Sequence, residues 1–434
     1  MTISLAALRT RLVRYARANP TIPQTIAAFA IKLFGAALSF AFSFLIAHRL
    51  GANGVGSYAL ALTTATVAST MALLGLDYIL LRTLAGDLRV GDTAGGRGAV
   101  RTVIAAVTVA ALVAAACLAL FGAPLLQALL GKGLDAGLVR LAAVAVLPLA
   151  LNRILAAALR GAGMVVTAQW FDGPQTMALT VGTMLVLTLW RTDIDVYHVL
   201  GLYTAMATAS AIMAAGLYAH RARHWPAAAV IRLPPMLRSS WRIALVVLSG
   251  LVADWVILLL LGARFSAHEV GLFRTAWQIA TVITLIVVTF DSVAGPQIAA
   301  AHRVGEHANI RKIWQHSVVI MALISLPLFV VILGFPCWVL GLFGPEFPVA
   351  ATALRILALG QLINILTGPI GAVMIMTGQE RWSLRLSAGS LAVLAGFGLT
   401  LIPAYGLIGA ALTTSLTIAC RNLAGYAILR KTLH

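Results

Sequence analysis

Apolar residues run through this chain in long unbroken stretches separated by short polar connections. The stretches fall at 25–47, 56–81, 100–121, 138–159, 169–190, 197–219, 241–262, 270–293, 315–337, 350–376, 384–402 and 408–429. Each is near the ~20 residues that carry a helix across a hydrocarbon core, so the pattern predicts about twelve membrane helices. The runs are continuous and do not alternate, which disfavours a β-barrel. The fold class expected is all-α, a polytopic membrane protein.

The stretch from Leu50 to Ala85 organises this pattern. A turn-like segment (Gly51, Asn53, Gly54, Gly56) opens an apolar run that closes on Asp77 and Arg82. Half a chain later, Leu261-Gly262-Ala263 matches Leu50-Gly51-Ala52, and Val270-Gly271 matches Val55-Gly56. A second short match, Arg160-Gly161-Ala162-Gly163 with Thr377-Gly378-Gln379-Glu380, lies at nearly the same offset. Repetition at this period marks an internal duplication. In transporters, such repeats enclose the substrate site between them. The longest polar connection, 220–240, sits at the midpoint and holds Pro226, Pro234 and Pro235. The expected organisation is a basic amphipathic segment at 1–24, a lobe at 25–219, a cytoplasmic linker at 220–240 and a lobe at 241–434, each lobe with about six helices around a central cavity.

Composition agrees. Of 434 residues, 61% are hydrophobic and 10% charged, with mean hydropathy +0.97. A soluble domain of this size cannot bury that much apolar surface. The net charge of +18 would point a soluble protein toward nucleic acid. Here the basic residues gather in alternate connections, the signature of cytoplasmic loops, and no nucleic-acid motif appears. Arg9 to Arg17, Arg82 to Arg101, Arg160, Arg221 to Arg242, Arg303 to Lys312, Arg381, Arg385, Arg430 and Lys431 fall on one side, and Arg49, Lys132, Arg140, Arg191, Arg264 and Arg274 on the other. Both termini are therefore expected in the cytoplasm. Leu5, Leu8 and Leu12 against Arg9, Arg11, Arg14 and Arg17 fit a helix lying on an anionic membrane surface. No cleavable signal peptide is expected.

Ionisable groups inside apolar spans are costly and mark function or packing. Lys32, Arg153, Arg355 and Arg421 are the candidate cavity cations, suited to an anionic ligand such as a phosphate or uronic acid. Each has a rival role as half of an interhelical pair, with Asp254 against Arg421 or Arg355 the example. Asp254 and Asp77 are the candidates for coupling or charge balance. Asp77 and Arg82, about one turn apart, permit a local pair. Arg274 near a helix end reads as snorkelling or locally paired.

Other chemistry is missing. There is no GxxxxGK[ST] loop for ATP. Cys117, Cys337 and Cys420 are scattered through apolar runs and suggest neither a disulfide framework nor a metal site. His302 and His307 lie in a basic loop without nearby cysteine, which argues against zinc. No nucleophile motif is present, so neither enzyme activity nor a cofactor is expected.

Several segments carry a resemblance: LGANGVGSYALA (50–61), GLDYILLRTLA (75–85), Asp254 followed by LGARFSAHEVGLFRTA (261–276), TFDSVAGPQIA (289–299) and LIGAALTTSL (407–416). These resemble the polysaccharide transporter branch, the O-antigen and capsule-unit flippases, of the multidrug/oligosaccharidyl-lipid/polysaccharide exporter superfamily. The resemblance implies two six-helix lobes in a V around a cavity. It also implies alternating access that carries a polyprenyl-pyrophosphate-linked oligosaccharide across a bacterial inner membrane for polysaccharide biosynthesis. Its partners would be that lipid-linked oligosaccharide, membrane lipid and a polysaccharide polymerase. The rival within the superfamily is a cation-coupled multidrug exporter, which needs deep carboxylates. No site residue is carried over from the family, because cavity charges vary with substrate.

Overall fold

The computed structural model describes residues 21–130, 135–190, 194–227, 233–304, 306–377 and 379–432. Residues 1–20 of the expected amphipathic segment and 228–232 of the expected linker lie outside the described residues. Among the described residues the chain is all-helical and has no strand. That follows from the apolar runs: in lipid every backbone N–H and C=O needs a partner within its own segment, and a helix supplies it.

In chain order the helices are α1 (Thr21–Leu73), α2 (Leu76–Arg89), α3 (Thr93–Leu130), α4 (Ala136–Gly161), α5 (Val165–Phe171), α6 (Pro174–Trp190) and α7 (Val196–Arg221). The second half continues with α8 (Leu233–Arg264), α9 (Ala267–Arg303), α10 (His307–Gly334), α11 (Pro336–Gly341), α12 (Ala351–Thr367), α13 (Ile370–Met376) and α14 (Glu380–Thr432). Nine helical spans among the described residues are long and apolar enough to cross a membrane, and Pro174–Leu189 is a shorter apolar helix. Two of those nine are 47 and 52 residues long, far more than one crossing needs. Each is bent at a single glycine, Gly51 (φ 63°) in α1 and Gly406 (φ 54°) in α14. Positive φ is open to glycine at little cost, so each long helix folds into two crossings. Counted this way, each half of the chain crosses about six times.

The turn expected over Gly51, Asn53, Gly54 and Gly56 is a single-residue break. Only Gly51 leaves helical dihedrals, because helical bonds resume at once at Ala52. The expected span 56–81 is also divided. Leu74 (φ 49°) and Gly75 (φ 71°) end α1 and start α2, so Asp77 and Arg82 sit on a separate short helix.

The largest contact between helices is α1 against α9, which joins the two halves. The start of α9 is set locally by Ser266, whose Oγ accepts from the N–H of Glu269, the S-x-x-E arrangement of a capping box. One hydrophobic core runs through both halves, from Phe42 and Leu80 to Leu354 and Ala411. A separate cluster around Ile298, Trp314, Val373 and Leu429 packs within the second half.

Candidate functional site

A cavity of about 1240 Å³ opens beside the α1–α9 contact. Its walls come from the second half (α8, α9, α12, α13 and both arms of α14) and, from the first half, from α1 over 33–40. The lining reaches Ser383 at the start of α14 and Met374 on α13, so the cavity runs toward the end of the bundle away from Gly51.

The wall is rich in neutral polar groups. Gln361, only 2% exposed, accepts at Oε1 from Thr284 Oγ1 at 3.1 Å and from Asn364 Nδ2 at 3.2 Å. Asn364 Oδ1 in turn accepts from Asn422 Nδ2 at 2.8 Å. This relay crosses from α9 through α12 to α14. A polar chain buried among apolar helices is held rigid by its own bonds, since each member is costly to leave unpaired. On the α9 wall, Gln278 Nε2 donates to the carbonyl of Ser39 at 3.2 Å. Trp277 and Thr281 line the cavity beside it.

Two charged residues line this cavity, Arg421 and Asp254. Arg421 is exposed to it, and no ion pair engages it among the described residues. Asp254 is partly buried, and the charge acting on it is that of Arg274. No ion pair joins Asp254 to Arg421 or Arg355 among the described residues; the cation whose charge reaches it is Arg274. Arg274, expected to snorkel or pair locally near a helix end, is half-buried on α9.

The other expected cations do not line this cavity. Arg153 donates through Nη2 to Asp77 Oδ2 at 3.2 Å and through Nη1 to Thr70 Oγ1 at 2.9 Å. Asp77 thus pairs across helices and not with Arg82. Arg355 is exposed near the start of α12, its Nε on the carbonyl of Leu333 at 3.1 Å. Its shallow place follows from α12 beginning only at Ala351. Lys32 is exposed one residue before the lining begins at Leu33. A chamber ringed by four cations is thus reduced to one arginine, one aspartate and an amide-hydroxyl wall.

Sequence reasoning weighted charges and passed over Thr284, Gln278, Trp277 and Asn422. Their spacing was the available signal. Arg274, Trp277, Gln278, Thr281 and Thr284 recur at three- and four-residue steps, which puts them along one helix face.

The family model described as "Polysaccharide biosynthesis protein" matches residues 23–302, and the MatE model matches 243–402. The chain belongs to the polysaccharide biosynthesis protein family. Among similar relatives of this family member is a protein of Haloferax volcanii named "Probable low-salt glycan biosynthesis flippase Agl15". It is 25% identical over 41% of this chain and 38% of its own length. The "Teichuronic acid biosynthesis protein TuaB" of Bacillus subtilis is 25% identical over 40% of this chain and 35% of its own. Either match spans well under half of the relative's length. The fold of this family member is that of solved MATE transporters. An inward-facing multidrug resistance MATE transporter of the MOP superfamily superposes with TM-score 0.75 at 17% identity, covering 94% of this chain and 98% of its own. A MOP superfamily transporter from Pyrococcus furiosus, whose pocket is described as having reversed polarity, gives 0.65 at 15% identity over 95% of each chain.

Proposed function

We propose that this protein is a flippase for a polyprenyl-pyrophosphate-linked oligosaccharide, working by alternating access in a bacterial inner membrane. The observation that carries the reading is the cavity wall. Gln361, Asn364 and Asn422 form a fixed amide relay beside Thr284, Thr281 and Arg421. Sugars are recognised by paired donors and acceptors, and amides supply both. A tryptophan gives the apolar face of a ring something to lie on. An arginine with no carboxylate partner among the described residues suits a phosphate oxygen. The names of the two curated relatives, one a glycan biosynthesis flippase and one a teichuronic acid biosynthesis protein, support the same substrate class.

The mechanism follows from the cavity's asymmetry. The Gly51 end, where the halves meet, faces outward, and the end reached by Ser383 faces the cytoplasm with both termini. This direction rests on the distribution of basic residues. The headgroup enters from the cytoplasmic end, Arg421 holds its phosphates, and the lipid tail stays in the bilayer. Rocking of the halves about the α1–α9 contact then exposes the headgroup outside. Asp254, balanced by Arg274, is the residue for charge compensation or a coupling ion. Lys32 stands at the approach to the cavity. Arg153 with Asp77, and Arg355, hold helices in place. No catalytic residue is assigned, and a polysaccharide polymerase would take the product on the outer side.

The test is complementation of a strain lacking the protein, read as surface polymer at equal protein level. Arg421→Gln abolishes polymer, while Arg355→Gln keeps it. Normal polymer with Arg421→Gln overturns the site. The presence of Asp254 in the cavity favours, as a second reading, a cation-coupled drug exporter. Raised drug susceptibility in the deletion strain with unchanged polymer would select that reading.

A further inference from the structure

A second cavity, of about 900 Å³, lies between the start of α3 and the end of α7. None of its lining residues is shared with the first. Arg97 and Arg101 line it from the first turns of α3, and Tyr218 and Ala219 from the last turn of α7.

Each polar group here is incompletely used. Arg97 spends Nη1 on two carbonyls, Trp225 at 2.8 Å and Pro226 at 3.2 Å. These bonds anchor the guanidinium at the rim, while its Nε and Nη2 donate to nothing among the described residues. Arg101 is exposed and makes no hydrogen bond or ion pair among the described residues. Tyr218 is 9% exposed, and its ring stands edge-on to Trp225 at 6.1 Å. Its hydroxyl has no hydrogen-bond partner among the described residues. A buried hydroxyl left unpaired in a cavity marks a place that a polar group completes.

Apolar faces run away from this cavity on both helices. On α3, Arg101, Ala105 and Val109 are exposed at four-residue steps; on α7, Ile212, Ala215 and Ala219 are exposed. Both helices are long and apolar enough to cross a membrane, so these faces are the ones acyl chains would cover. A soluble anion would meet only the arginines and the tyrosine. An anion carrying acyl chains would also cover the apolar faces that begin at the cavity's edge.

We propose that this cavity binds the headgroup phosphate of an anionic phospholipid, held by Arg97, Arg101 and the Tyr218 hydroxyl, with its chains along α3 and α7. Basic pockets between membrane helices suit such headgroups. The site is independent of the transport reading, because it shares no residue with the first cavity.

The test uses the purified full chain in neutral detergent, with bound lipid read by native mass spectrometry. Phosphatidylglycerol is retained over phosphatidylcholine. Arg101→Gln lowers phosphatidylglycerol binding about fivefold, the effect of one basic residue near an anionic lipid, and leaves phosphatidylcholine unchanged. Arg101→Lys keeps most of the binding. Tyr218→Phe, a second variant that preserves the ring packing, lowers phosphatidylglycerol binding in the same direction. Equal retention of the two lipids, or unchanged selectivity in both Arg101→Gln and Tyr218→Phe, overturns the proposal. Competition by glycerol 1-phosphate as strong as that by phosphatidylglycerol also overturns it, by making the site one for soluble anions.

Discussion

Gly56 of α1 and Gly271 of α9 meet backbone to backbone, and each lies against the other helix with no room for a side chain. A Cβ on Gly56 would lie 1.7 Å from the carbonyl oxygen of Ala267, and one on Gly271 would lie 1.8 Å from that of Ala52. The contact is reciprocal: each glycine abuts the residue four before its counterpart. Small residues let membrane helices approach this closely. The seam closes the Gly51 end of the bundle and leaves the cavity open toward the other end.

A methyl group has no room in this seam. Gly56→Ala or Gly271→Ala should therefore cost the closed seam about 1–3 kcal/mol, the usual range for overpacking. Spin labels at the exposed Arg49 and Arg264 would report the change as a longer distance between the halves. The background must be cysteine-free, since Cys117, Cys337 and Cys420 are all exposed. An unchanged distance would show that the seam tolerates the methyl.

Glu346 ties the same end together. Its Oε2 accepts from the N–H of Ala52 at 3.1 Å and lies 3.4 Å from His268 Nε2. Ala52 belongs to the first half and His268 to the second. Glu346→Ala should widen the Arg49–Arg264 distance distribution without lowering protein level, because both carboxylate contacts are partly exposed. A hydrogen bond to a charged group contributes on the order of 1.5–3 kcal/mol when buried, and less here.

The pair between Arg153 and Asp77, 30% and 13% exposed, locks α4 to α2. Arg153→Leu should destabilise the protein by about 2 kcal/mol, between the effect of breaking a surface pair and a fully buried one. The double variant Arg153→Leu/Asp77→Asn should recover part of that loss, because no unpaired carboxylate remains. A double-mutant cycle on thermal unfolding in detergent measures the coupling, and a purely additive result would argue that the pair is idle.

Asp195 caps α7. Its carboxylate accepts from the N–H of His198 and is held below the ordinary carboxylate range, first by that bond and then by the His198 side chain. A depressed folded pKa means the stabilisation is complete above the unfolded value of about 3.9 and disappears as pH falls through the folded one. Asp195→Ala should lower the thermal midpoint at pH 7, a loss of about 1 kcal/mol for a missing cap. The gap between variant and parent should close as pH falls well below 4. A gap that persists in acid would mean the cap acts without its charge.

The helical crossings were legible in the chain because the membrane leaves little choice: apolar length sets a crossing, and every backbone bond must be internal. Gly56 and Gly271, which stand at matching places in the two similar segments, are residues at which α1 and α9 meet. The site was only partly legible. Arg421 and Asp254 stood out as charges and do line the cavity. Arg153, Lys32 and Arg355 stood out equally and do not.

What the sequence determined alone was the kind of element and the apolar character of each crossing, because local hydrophobicity acts within one segment. The facing of each helix was decided only in the folded molecule. Rotation about a helix axis sends Arg153 to Asp77 and Asn422 to Asn364, and it depends on which neighbours pack. Partners such as Thr284 and Gln361 lie 77 residues apart. No local pattern encodes that meeting, because it exists only once the helices have closed around the cavity.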